Sequence, residues 1–404
     1  MNLTKHLGSE GVEAATSGAV SPLQKALEQP FTLGLFLPVL KGGWTISSAP
    51  RSMGWDFEYN RELTLRAEAL GFDLVFALAQ WLPKGGMGGA IKFREHSLDS
   101  FMSVAALAAV TNRIILISTL HVLYGIHPLF VARFGSTLDN VSKGRWGINL
   151  VTGARTEERP MFGLPPVEHD LRYEMLTEYT EILNRLWTRD ENLDFKGDYW
   201  TLHGAYTSPR PTFNRPIFVN AGNSPPSLKL GARYCDFLFV TSPAGADIEP
   251  ALGALPALNA QVRELVAAEG RNVRTIINPM IICRETEAEA KRQYNLILEG
   301  ADEQATAAFM NQRDTKSWPQ HTAKQRFVGG NVQLIGTPEQ VVDWMVRLKK
   351  AGCGGVQVSF FDFGPDLEFF GKRVLPLMYQ AGLRKPIVET PASGKAAAAP
   401  TAVH

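Results

Sequence analysis

Short apolar runs alternate with amphipathic stretches from about residue 31 onward, and the alternation predicts a chain of parallel βα units. Eight strands are predicted, at 31–38, 72–79, 113–122, 145–152, 216–221, 236–241, 274–284 and 355–362. Most are continuous hydrophobic runs rather than strict apolar–polar alternations, as expected when helices cover one face of a sheet and a packed barrel interior covers the other. Helices are predicted between them at 58–70, 98–110, 128–142, 171–188, 225–234, 251–269, 286–299 and 338–351, with a last one near 366–381. In 338–351 both boundaries are written locally. Thr337 is an N-cap, Pro338 takes the first helical position and Gln340 completes a capping box; Val341, Val342, Met345 and Leu348 recur at helical spacing, and Gly352 stops the helix. The fold class expected is α/β, a closed (β/α)8 TIM barrel with insertions.

Two stretches break the period. Residues 193–202 read as a short hairpin with Lys196-Gly197 at its turn. Residues 300–335 are polar and rich in Gln, Thr and Lys, with Gly329-Gly330 near the end. A loop of that length in a compact domain is functional or mobile, so it is read as a lid over the active site, the alternative being a surface insertion. Residues 1–30 read as a flexible N-terminal leader, 31–382 as the barrel domain, and 383–404 as a disordered tail.

Composition then narrows the function classes. With 404 residues, 45% hydrophobic and 20% charged, the chain has ample material for a large core. A formal charge of +1 gives no broad field to recruit nucleic acid or an anionic membrane. The first residues lack a signal-peptide core, and no apolar run approaches the ~20 residues needed to span a bilayer. Cys235, Cys283 and Cys353 form neither a CxxC pair nor a disulfide framework, which together with those absences predicts a cytoplasmic protein. The histidines are scattered without metal-ligand spacing, so no metal is expected.

Candidate chemistry gathers where predicted strands end. Asn149 lies inside an apolar strand, on the face shared by Gly147 and Val151; a polar amide there needs a partner, and near the strand's exit the natural partner is a ligand. Thr119 and His121 share a face with Ile115 and Ile117 and arrive at the same end; His121 is either a structural histidine or an acid or base. After the fifth strand, Gly222-Asn223-Ser224-Pro225-Pro226 places a hydroxyl and a helix start together. This is either a phosphate pocket or ordinary capping. Arg172 and Tyr173 open the 171–188 helix, where they grip a phosphate or form a solvated face. Trp81, Phe360, Phe361 and Phe363 offer aromatic walls, with core packing the preferred reading for at least two of the phenylalanines. Gly85 to Gly89 lack the context of a nucleotide fingerprint and read as a flexible loop.

Several of these pieces recur together in one family. The chain resembles the bacterial-luciferase-like, two-component flavin-dependent monooxygenases, and among them the branch of pyrimidine oxygenase and dimethylsulfone monooxygenase. The resemblance spans roughly 31–382. It rests on Ala108-Ala109-Val110-Thr111-Asn112-Arg113-Ile114, Asn149 to Gly153, Arg172-Tyr173 with Leu176-Thr177-Glu178-Tyr179, Asp194-Phe195-Lys196-Gly197-Asp198, Ala221-Gly222-Asn223-Ser224, Gly300-Ala301-Asp302-Glu303 and Phe370-Gly371-Lys372-Arg373-Val374-Leu375-Pro376-Leu377, in that order. By that resemblance Asn149, Glu158, Arg172, Tyr173 and Ser224, with Gly222 and Trp81 beside them, bind FMN, and Thr119 and Asn149 place dioxygen (O2) beside the flavin. On its residues alone, Glu158 reads as a solvated loop carboxylate. Two departures fall close to where a substrate sits: Ala154-Arg155 follow Gly153 where those enzymes carry Trp, and Trp81 stands where a flavin-contacting Lys is expected.

The resemblance implies oxygenation of a small organic substrate by FMNH2 and O2, breaking a C–N or C–S bond in a pyrimidine-like heterocycle or an organosulfur compound. A separate NAD(P)H:flavin reductase supplies FMNH2, since the chain has no nicotinamide-binding fingerprint of its own. The relatives suggest a homodimer or homotetramer. The alternatives are a deazaflavin-dependent oxidoreductase of the same fold and a non-catalytic flavin-binding homologue.

Overall fold

The computed structural model describes residues 19–153, 158–311 and 321–387. Helix α1 (Pro22–Glu28) comes first, followed by β1 (Thr32–Phe36), α2 (Phe57–Ala69), β2 (Leu74–Ala77), α3 (Ser100–Val110), β3 (Ile115–His121), α4 (Pro128–Ser142) and β4 (Trp146–Val151). A short α5 (Glu158–Met161) and a long α6 (His169–Thr188) lead to a hairpin, β5 (Leu193–Lys196) and β6 (Thr201–Ala205). The βα alternation resumes with β7 (Ile217–Ala221), α7 (Pro225–Tyr234), β8 (Phe237–Val240), α8 (Ile248–Ala268) and β9 (Arg274–Ile277). Next come β10 (Pro279–Cys283), α9 (Glu287–Glu299), α10 (Glu303–Asn311), α11 (Ala323–Val328), β11 (Val332–Gly336), α12 (Pro338–Lys350) and β12 (Gly355–Phe360). Finally α13 (Phe363–Phe369) passes through one π-helical turn, Phe370–Val374, into α14 (Leu375–Gln380).

Eight parallel strands close the expected (β/α)8 barrel in the order β1-β2-β3-β4-β7-β8-β9-β12, with β12 returning to β1. The interior is filled by Phe36, Leu74, Phe76, Ile115, Ile117, Ile217, Val219, Phe237, Phe239 and Ile276, while Leu116, Ile148, Phe218 and Leu238 face the helices. Both faces are therefore dry, which is why the strands read as unbroken apolar runs. Among the described residues no helix is long and apolar enough to cross a membrane.

Six expectations need correction. The segment 274–284 is two strands, because at Asn278 the chain changes neighbours: β9 pairs with β8 and β12, whereas β10 pairs with β12 and β11. Asn278 fixes the break by donating its amide to Gln357 O (2.5 Å) and Ser359 Oγ (3.3 Å). The segment 300–335, read as a long loop, carries α10, α11 and the unanticipated β11; residues 312–320 lie outside the described residues. The leader is structured from Ser21 on: α1 packs Leu23, Ala26 and Leu27 under the barrel interior, and Arg274 donates to the carbonyls of Ala26 (3.1 Å), Leu27 (2.6 Å) and Gln29 (3.0 Å). Residues 1–18 lie outside the described residues.

The tail also begins inside the protein. Leu383 is buried, and Arg384 forms a buried pair with Asp73, its Nη2 2.9 Å from Oδ1, while also donating to Phe31 O (2.9 Å) and Gly71 O (2.7 Å). Residues 388–404 lie outside the described residues. The hairpin turns over Gly197–Trp200, one step beyond the expected place, where the Glu178 carboxylate accepts the amides of Asp198 (2.8 Å), Tyr199 (3.1 Å) and Trp200 (2.8 Å). The Gly85–Gly89 stretch is pinned rather than loose: Met87 is buried, and Ile91 N beyond it donates to Asp302 at 3.1 Å.

Candidate active site

Register brings the first pair together. Thr119 of β3 stands opposite Asn149 of β4, and Asn149 Nδ2 donates to Thr119 Oγ1 at 3.3 Å. Both side chains are buried on the interior face, above Ile115, Ile117 and Gly147. Asn149 Oδ1 is buried with no hydrogen-bond partner, and the Thr119 hydroxyl, having accepted from the amide, keeps its own proton to donate. A buried amide oxygen left unsatisfied is costly unless something else completes it.

Glu158 departs from its reading as a solvated loop carboxylate. It is fully buried at the start of α5 and organises the rim: Tyr124 OH donates to Oε2 at 2.5 Å, Trp81 N donates to Oε1 at 3.2 Å, and His121 Nδ1 lies 3.1 Å from Oε2 without the alignment of a hydrogen bond. The Tyr124 ring stands edge-on to His121 and stacks on Phe162. Gly153 makes this possible. Its φ is +74°, and a Cβ there would lie 2.3 Å from the Tyr124 hydroxyl. Trp81 is 45% exposed at the edge, against Phe162. Phe360, Phe361 and Phe363 are all buried core.

The loop after β7 separates structural from available polar groups. Asn220 donates to Leu150 O (2.7 Å) and accepts from Ser227 Oγ (2.6 Å), tying β7 to β4 and to α7; Asn223 Oδ1 accepts from Thr241 N (3.0 Å), tying the loop to the chain after β8. Ser224 occupies the N-cap position of α7 with extended backbone, yet its side chain makes no capping bond; Oγ is buried and without a partner. Ordinary capping therefore does not explain it. Arg172, buried in the first turn of α6, donates Nη1 to Gly153 O at 3.0 Å, and Tyr173 OH lies 3.3 Å from where a Gly222 Cβ would stand. The Arg172, Tyr173, Gly222 and Ser224 positions thus converge at the C-terminal ends of β4 and β7.

Beside this mouth lies a narrow pocket lined by Trp44, Phe93, Arg94, Asn278, Phe309, Arg326, Asn331 and their neighbours. Trp44 joins it to the barrel, its ring 4.3 Å from that of Phe36 at the end of β1. The Arg94 guanidinium lies over Trp44 (5.0 Å) and Phe93 (4.9 Å), and Nη1 donates to Gln80 Oε1 at 2.8 Å. Burial pushes the Arg326 guanidinium down to about 9. Tyr124, Trp44, Arg94 and Asn331 were not singled out in the sequence. Tyr124 meets Glu158 across 34 positions, so no local pattern marks it; the signal for Asn331 was the Gly329-Gly330 pair just before it.

The chain matches the luciferase-like monooxygenase family over residues 31–354. It is 35% identical over 360 residues to the pyrimidine monooxygenase RutA of Acinetobacter baylyi, covering 86% of this chain and 94% of that one. Among solved structures, riboflavin lyase (RcaE), with modified FMN and substrate riboflavin, superposes with a TM-score of 0.78 at 22% identity, covering 88% of this chain and 93% of that one. DmoA from Hyphomicrobium sulfonivorans does so at 0.75 and 19%, covering 89% and 90%; at these identities the structures report the shared fold. Family match and curated relatives together place this chain in the luciferase-like monooxygenase family.

Proposed function

We propose that the chain is an FMNH2-dependent monooxygenase that receives its flavin from a separate NAD(P)H:flavin reductase. The observation that supports this reading is hydrogen-bonding capacity left unfilled at both ends of the mouth: Ser224 Oγ beside the first turn of α7, and Asn149 Oδ1 beside the Thr119 hydroxyl. Arg172, Tyr173 and the Ser224 hydroxyl, beside the Pro225-Pro226 start of α7 and reached across Gly222, would hold the FMN phosphate. Bound reduced FMN supplies the electrons that activate O2, leading to oxygenation of a small pyrimidine-like or organosulfur substrate with C–N or C–S cleavage.

Thr119 and Asn149 orient the oxygen by hydrogen bonding from fixed positions, so no reorganisation is needed as charge develops. Glu158 keeps Tyr124 and the Trp81 backbone in place along the rim. His121, with Nδ1 turned to Glu158, is assigned proton exchange at Nε2. The segment between β10 and β11 acts as a lid; Phe309 of α10 and Arg326 of α11 already line the pocket. A homodimer or homotetramer in the cytoplasm fits the apolar side chains left exposed on α3 and α4, among them Met102 (67%) and Phe130 (63%).

The discriminating experiment presents FMNH2 and reduced deazaflavin separately under oxygen. The expected result is tight binding and oxygen consumption with FMNH2 alone, with product formation lost in Asn149→Ala and Thr119→Val. Unchanged product yield in both variants would remove the oxygen site, and preference for the deazaflavin would overturn the reading.

A further inference from the structure

Asn331 is 9% exposed, sits in the pocket, and its carboxamide makes no hydrogen bond to any described residue; Oδ1 is fully buried without a partner. Its backbone, by contrast, is firmly held. Asn331 N donates to Asn278 O at 2.7 Å, at the point where β9 gives way to β10, and Val332 N reaches the same oxygen at 3.3 Å. Two glycines in the left-handed region deliver it there: Gly329 (φ +91°) and Gly330 (φ +78°), where a Cβ would meet Trp44 O at 2.2 Å and Met280 N at 2.6 Å. A tight, costly turn thus presents an unpaired amide to a cavity walled by aromatic rings.

The other amide in the pocket is occupied, since Asn278 gives its Nδ2 to Gln357 O and Ser359 Oγ. A carboxamide offers one donor and one acceptor along a single edge. The group that satisfies both at once is a cis –CO–NH– edge in a planar ring, in the same bidentate manner by which asparagine reads adenine. Because both partners carry one donor and one acceptor, the match survives either orientation of the amide.

We infer that Asn331 is the specificity-determining residue of the substrate pocket, pairing with the lactam or imide edge of a planar cyclic amide. The inference rests on the monooxygenase reading above and selects cyclic amides over sulfones or sulfonates. Those oxyanions and sulfur oxides carry acceptors only and would leave Oδ1 buried and unpaired.

The test compares uracil, its N1-methyl, N3-methyl and N1,N3-dimethyl derivatives, and dimethyl sulfone, with FMNH2 and a reductase present. In the wild type, methylation at the reading edge lowers kcat/KM by about tenfold or more, the effect of one lost hydrogen bond to a buried acceptor. This arm needs no variant to fold. Asn331→Leu then loses the preference for N–H over N-methyl substrates, while FMN affinity stays at its wild-type value. Methylated and unmethylated rings reacting equally in the wild type, or discrimination persisting in Asn331→Leu, overturns the assignment. Turnover of dimethyl sulfone without any cyclic amide also overturns it and leaves the flavin reading standing; failure to bind FMN at all sinks that reading itself.

Discussion

Ser224→Ala separates a ligand-binding hydroxyl from a helix cap. In the ligand-free protein Ser224 Oγ is buried and bonded to nothing, so its removal breaks no interaction. Folding stability should therefore change by less than about 0.5 kcal/mol, or rise slightly, whereas losing a true N-cap bond costs about 1 kcal/mol. With FMN the same deletion removes a hydrogen bond to a charged phosphate, about 1.5–3 kcal/mol, which weakens binding by about tenfold to about a hundredfold. Urea unfolding without ligand and a fluorescence titration of FMN read the two effects independently. A third readout couples them: FMN at 100 times the wild-type Kd adds about 2.7 kcal/mol to wild-type stability by mass action, and at that same concentration the variant should gain only about 0.4–1.4 kcal/mol. A variant that loses about 1 kcal/mol unliganded and binds FMN as before would refute the phosphate assignment and restore ordinary capping.

Arg384→Met leaves the Asp73 carboxyl buried without its partner and should cost about 3–5 kcal/mol at neutral pH, measured by urea unfolding. Burial raises the Asp73 carboxyl, while Arg384 and the Leu33 amide pull it down. Without the arginine the folded state holds its proton more tightly than the unfolded chain, so the deficit should shrink as pH falls toward the ordinary carboxylate value and grow as pH rises above it. A deficit independent of pH would contradict this account. Gly153→Ala places a methyl group 2.3 Å from the Tyr124 hydroxyl at a φ of +74° and should lower stability by about 1–3 kcal/mol; a thermal midpoint equal to the wild type would show that the Tyr124–Glu158 contact yields freely.

The barrel was legible because its information is local. Capping at Thr337 with Gln340 is realised as a reciprocal pair, Thr337 N to Gln340 Oε1 at 2.9 Å, and α4 and α7 begin at the prolines that mark their first positions. What escaped notice is long-range. Asn278-Pro279 is a local break signal hidden inside an apolar run, and the bond of Asn278 to Gln357, 79 positions away, shows why one strand becomes two. Arg384 read as part of a tail because its partner lies 311 positions earlier, and Glu158 read as a solvated carboxylate because the residues that bury it, Trp81 and Tyr124, come from other loops. Ser224 was half-legible: the helix start was evident, whereas the missing cap bond could be seen only in three dimensions.

The backbone seam between Asn278 and Asn331 has a consequence for how this enzyme can diversify. The ring-reading amide is stitched to the barrel wall at one end of the long excursion rather than carried on its outer helices. Residues between α10 and α11 can therefore be lengthened, shortened or exchanged without dislodging the group that chooses the substrate. Grafting a cover from another barrel onto this seam would change how fast molecules enter and leave while preserving which ones are accepted.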